Sequence, residues 1–148
     1  MKFNQPTSDF LSKMGWTDSR SVDTHSFLEC LLNDGYKLFP ASSAFLKNFG
    51  GLDGAMPAYR KDGVFERIHF NIEEAINNIY REKVITYEER VGEQLVVIGE
   101  AYNGHLTLLL SASERVYGGY DDYLCLLGNT VEQGITALFE RTTVSEVP

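Results

Sequence analysis

The sequence predicts an α+β fold for a single domain spanning residues 1–148. Three amphipathic stretches with glycine stops fill the first fifty residues. Two apolar, β-rich runs joined by Asn103-Gly104 follow Gln94, and a last amphipathic stretch closes the chain. The order is helices, then a mostly antiparallel meander, then a helix.

Taken in order, Thr7 or Ser8 can cap a short helix through Met14, which Gly15 stops in the manner of a C-terminal glycine. In residues 22–33, Val22, Phe27, Leu28, Leu31 and Leu32 recur at helical spacing, and Gly35 ends the run. Pro40 suits a first helical turn because its missing N–H would be unpaired there, and Ala44, Phe45, Leu46 and Phe49 form the next stripe before Gly50-Gly51. Residues 53–62, rich in glycine, proline and charge, read as a loop leading to the strand VFERIHFNI. Residues 73–80 read as a short helix. The stretch through Arg90 is divided, since Val84, Ile85 and Thr86 favour strand and YEER favours helix. QLVVIGEAYNGHLTLLLS predicts a tight two-residue hairpin at Asn103-Gly104. Residues 115–118 and 123–127 add two strands, and residues 129–141 form the closing helix. Trp16, Phe49 and Leu52, each beside a glycine stop, are expected in the core.

A chain of 148 residues is long enough to bury one substantial core, and 43% hydrophobic with 23% charged residues excludes a disordered class. Thirteen basic residues against 21 acidic ones give a formal charge of −8, which repels phosphate backbones. The longest basic cluster is Arg60-Lys61, followed at once by Asp62, so nucleic acid is not an expected partner. No run approaches signal-peptide or membrane-span length, which predicts a soluble, cytoplasmic protein. Cys30 and Cys125 sit in apolar runs and are expected as free thiols.

Catalytic signatures are scarce. His25, His69 and His105 have no partner at a metal-ligand spacing, and no nucleophile elbow, Walker loop or GxGxxG run occurs, so neither a metal nor a cofactor is expected. The carboxylate pairs Glu73/Glu74, Glu88/Glu89 and Asp121/Asp122 are adjacent in sequence and diverge on either a helix or a strand. Glu100 follows VVIG within the predicted hairpin; it either faces solvent or meets an arginine. VYGGYDDYL is the densest recognition candidate: Tyr117, Tyr120 and Tyr123 surround Asp121 and Asp122 in a glycine-containing loop, a composition suited to a basic protein partner. Tyr117 and Tyr123 equally suit strand positions packed in the sheet.

The motifs GWTDSR (Gly15, Trp16, Arg20), AFLKNFGGL (Phe45, Leu46, Phe49, Gly50, Gly51, Leu52), VIGEAYNGHLTLLLSASERVY over 97–117 and LLGNTVEQGITALF occur in this order over most of the chain. Collectively they resemble the SUKH superfamily, and within it the third group of bacterial SUKH immunity proteins. The resemblance implies a sheet flanked by helices, no catalytic role, and neutralisation of a cognate toxin, often a nuclease or deaminase, delivered between competing bacteria. Trp16, Arg20, Phe49, Gly50, Gly51, Leu52 and Gly99 match as residues of the fold. Glu114 departs from the pattern, standing where a glycine is usual. For the toxin-binding surface the sequence nominates Tyr117, Tyr120, Asp121, Asp122, Tyr123, Asp53 and Glu100, facing a basic toxin domain. A general intracellular binding module and a small enzyme using Glu100 or His105 are the alternatives. An exposed strand edge would permit a homodimer, although nothing in the chain requires one.

Overall fold

The structure, a computed structural model, describes residues 1–58, 61–142 and 144–148; Arg60, of the sequence's basic pair, lies outside them. Helix α1 (Gln5–Lys13) is capped by Asn4, whose side chain accepts from the Thr7 amide at 3.2 Å. The cap thus lies three residues before the expected one, and Thr7 is buried instead. Gly15, at φ +97°, turns the chain out of α1 as expected.

Helix α2 (His25–Asn33) starts three residues later than its apolar stripe, because the Val22 amide donates to Lys47 O at 2.9 Å and holds that segment along helix α3 (Pro40–Phe49). The stop after α3 is an interlocked set. Arg20 donates to the Asn48 and Gly50 carbonyls at 3.0 and 2.9 Å, covering helix-end acceptors that would otherwise be unpaired. The Asn48 side chain accepts from the Trp16 indole at 3.2 Å and donates to Arg20 O at 2.9 Å. A Cβ on Gly50 would lie 2.5 Å from Leu46 O. Trp16 stacks on Phe49 with ring centroids 5.5 Å apart, and Phe45 stacks on Phe49 at 5.0 Å. Trp16, Phe49 and Leu52 are all buried.

The expected loop at 53–62 begins instead with strand β1 (Asp53–Pro57), paired antiparallel with β2 (Phe65–His69). Its composition misleads because β1 is a sheet edge, where proline costs no ladder hydrogen bond, and because Gly54 leaves room for Met14, the residue capping α1, which a Cβ there would meet at 2.5 Å. Helix α4 (Ile72–Ile76) follows, capped by Asn71. The divided stretch is helical, forming α5 (Arg81–Val91). Val84 and Tyr87, three residues apart, bury one face, and that packing overrides the local strand preference.

Strands β3 (Leu95–Ala101) and β4 (Leu106–Ser111) join through a four-residue turn rather than the expected two-residue one. Tyr102, Asn103 and Gly104 all take positive φ, and Asn103 exchanges two hydrogen bonds with the Arg67 backbone of β2. The longer turn therefore ties β3–β4 to its neighbour. The strands expected at 115–118 and 123–127 form, as β5 (Val116–Tyr120) and β6 (Tyr123–Gly128), and the glycine-containing loop of VYGGYDDYL shortens to a two-residue hairpin turn, Asp121-Asp122. Helix α6 (Val131–Glu140), capped by Thr130, and the short β7 (Ser145–Glu146) complete the chain.

The strands form one antiparallel sheet in sequence order, β1 to β7, flanked by helices. Helices α1 and α6 cover one face, with Phe10 stacked on Phe139 at 5.2 Å and Gly134 so close to β5 that a Cβ would meet Val116 at 2.5 Å. Helix α5 covers the other, its Tyr87 ring lying where a Gly119 side chain would be. Gly99 permits a close approach of β2, since its Cβ would lie 2.1 Å from His69 O.

Candidate functional site

One end of the sheet gathers the β3–β4 turn, the β5–β6 turn and the break between α4 and α5. The β5–β6 turn is fixed from beneath by α5: Tyr87 Oη donates to Asp121 O at 2.7 Å, and Arg90 donates to Asp122 O at 2.9 Å. Asp121 sits at φ +47°, a left-handed conformation that aspartate tolerates better than most residues. Asp122 is fully exposed and pairs with Lys83 at 2.8 Å, which holds its carboxyl below the usual range.

Tyr120 is half-exposed at 52% and stacks on Tyr123, with centroids 5.0 Å apart. The pair stands between two clefts. A cleft of about 520 Å³ on the α6 side has an apolar floor of Leu106, Cys125, Leu127 and Ala137. A cleft of about 720 Å³ on the other side is lined by Ile79, Tyr80, Lys83, His105, Tyr120 and Asp121, among others. Tyr80, at the α4–α5 break, is 83% exposed. Tyr102 bridges the α6 side, its ring under the Arg141 guanidinium at 4.8 Å and its hydroxyl donating to Leu138 O at 3.3 Å.

Of the nominated residues, Tyr120, Asp121, Asp122 and Tyr123 share this tip. Tyr117 does not: it is buried in the sheet, the strand position that was its other reading. Asp53 lies on β1, four strands from β5, or about 19 Å at ~4.8 Å per strand, and its carboxylate is taken by Arg67 at 2.6 and 2.9 Å. Glu100 neither faces solvent nor meets an arginine. It is 2% exposed, accepting from His69 Nε2 at 2.9 Å and from Asn78 Nδ2 at 3.1 and 3.2 Å. A carboxylate held this way supports the fold and offers no contact surface to a partner.

His69, Glu74 and Glu100 bring one ligand atom each within 4.8 Å of one another, the closest approach to a metal-binding group among the described residues. The hydrogen bonds argue against ligation. His69 Nδ1 accepts from the Asn71 amide at 3.0 Å, so the ring proton of the neutral side chain is on Nε2, which donates to Glu100. A ligating Nε2 would carry no proton. Arg67 occupies Glu74, and its hydrogen bonds hold the Glu74 carboxyl below the usual range. This is a closed polar network pinning β2 to β3.

Tyr80, Asn78 and Lys83 were not visible as site residues, because nothing in the sequence marks the α4–α5 break as adjoining the hairpin tip. His69 and Glu100 face each other in the β2–β3 register, a pairing that sequence spacing cannot reveal.

A family model of SUKH-3 immunity proteins matches residues 3–141. The chain belongs to the SUKH-3 immunity protein family. Trp16, Arg20, Phe49, Gly50, Gly51, Leu52 and Gly99, which carry the SUKH-3 resemblance, lie in the interlocked α3 stop, the core and the β2–β3 contact just described. No curated protein and no solved structure matches this SUKH-3 chain. Among the described residues no helix is long and apolar enough to cross a membrane.

Proposed function

We propose that this protein binds and neutralises a cognate toxin domain by occlusion, without catalysis, and that the hairpin tip is the contact surface. The stacked Tyr120–Tyr123 pair between two clefts carries the reading of the surface. A large aromatic ring held by a neighbour loses little entropy on binding and contributes contact area. Asp121 and Asp122 beside it, on a chain of formal charge −8, favour a basic partner. Lys83 offsets part of the Asp122 charge in the free protein, so Asp121 contributes the larger share of the local field.

The test is inhibition of the toxin encoded beside this gene. Titrating purified protein into the active toxin domain should abolish toxin activity at a one-to-one ratio, with a stable complex on size-exclusion chromatography. Full toxin activity in the presence of excess protein would refute the reading.

A further inference from the structure

Another cleft, of about 770 Å³, is lined by Asn33, Asp34, Asn77, Asn78, Arg81 and Glu82, among others. It adjoins the proposed contact surface, because Asn78, Ile79 and Tyr80 line both this cleft and the one beside Tyr120. Its size falls within the range of ligand pockets, and its lining holds two carboxylates, Asp34 and Glu82, and three asparagines beside Arg81.

Asp34 is its unusual member. It caps the C-terminus of α2, where the helix presents its negative end and a base, not an acid, is favoured; α2 has no basic residue in its last turn. Asp34 Oδ2 is buried with no hydrogen-bond partner. Arg81, the cation nearby, is committed elsewhere: it donates to Glu88 at 3.0 Å and to Gly35 O at 3.3 Å, and lies over the Tyr36 ring at 4.3 Å. The Tyr36 hydroxyl is likewise buried and unpartnered, and burial, with Asp34's charge in the same direction, raises its pKa. The Asp34 carboxylate therefore stands at a helix end that disfavours an acid, with one oxygen buried and without a hydrogen bond among the described residues. A buried polar atom left without a partner in the free protein is what a ligand supplying a donor would satisfy.

We propose that this cleft receives an arginine or lysine side chain of the partner, with Asp34 and Glu82 as the carboxylates that hold it. A guanidinium or ammonium brings several donors, matching the two carboxylates and the asparagine carbonyls. Asn78 commits its amide nitrogen to Glu100, which leaves its carbonyl oxygen to accept. The inference rests on the toxin-binding reading only in taking the toxin as the source of the side chain.

Amide chemical shifts of the ¹⁵N-labelled protein, titrated with N-acetyl-arginine N-methylamide and with the neutral N-acetyl-citrulline N-methylamide, test the cleft without any toxin. Saturable shifts at residues 33–34 and 76–82 are expected with the arginine compound and not with the citrulline one. Asp34→Asn should weaken that response at least tenfold, and Glu82→Gln severalfold, while Asp34→Asn melts at or above the wild-type temperature. Equal responses to both compounds, an unchanged response in Asp34→Asn, or a marked drop in its melting temperature would overturn the proposal. In a second arm, a cognate toxin domain bound equally by wild type and Asp34→Asn removes the cleft from the interface and leaves the immunity reading standing. Failure of wild type to bind the toxin removes the immunity reading instead, and the arginine arm alone then decides the cleft.

Discussion

At the scale of single residues, burial and backbone conformation make two separate predictions. Phe49 is fully buried between Trp16 and Phe45, so Phe49→Ala should lower stability by about 3–5 kcal/mol, measured as a shift in the denaturation midpoint. An unchanged midpoint would contradict the packing. Glu114 holds φ +71° in the β4–β5 turn, the place where the family pattern led us to expect glycine. Its amide donates to Ser111 O at 3.0 Å, forming the three-residue hairpin loop whose last position is left-handed. Glu114→Gly should therefore raise stability by about 0.5–1 kcal/mol, read from the melting temperature. The sequence motif was enough to locate that strained position. Glu100 was not legible in the same way: its partners His69 and Asn78 are 31 and 22 positions away, and only the fold brings them together.

At the scale of elements, the β1–β2 ribbon owes part of its attachment to Arg67, which binds Asp53 and Glu74 together. Hydrogen bonds from Arg67 lower the pKa of both carboxyls below their ordinary values of 3.8 and 4.5. Depressed folded-state values mean that this contribution is present above pH ~4.5 and is lost as the pH falls through the lowered values. Melting temperature followed from pH 6 to pH 2 should fall less steeply for Arg67→Met than for wild type, and identical slopes would contradict this account. All three groups are substantially exposed, so the difference in slope should be small. Helices with an apolar stripe were legible, α1 and α2 apart from their first residues, α3 from Pro40 to its glycine stop, and α6 from its stripe alone. β1 was not, because glycine and proline at an edge strand look like a loop. α5 was not, because its helical register is decided by burying Val84 and Tyr87, which is a tertiary effect.

At the scale of the whole molecule, a meander of strands in sequence order places the β3–β4 and β5–β6 turns at one end of the sheet and sets a stacked tyrosine pair, with Tyr120 exposed, at its tip. The tip itself was readable as tyrosine and aspartate around glycines. Its form as a hairpin anchored by Tyr87 and Arg90, and the cleft on that side, come from α5 and the α4–α5 break packing beneath it, while the other cleft comes from α6 packing beside β6. The central claim is that this tip binds the toxin, and association and dissociation rates measured by surface plasmon resonance with the verified cognate toxin domain test it most directly. Asp121→Asn/Asp122→Asn should slow association and flatten its salt dependence, while Tyr120→Ala should speed dissociation, with a loss of about 2 kcal/mol or more in binding. Unchanged rates in both variants, with both still folded, would contradict the claim and place the interface elsewhere on the domain.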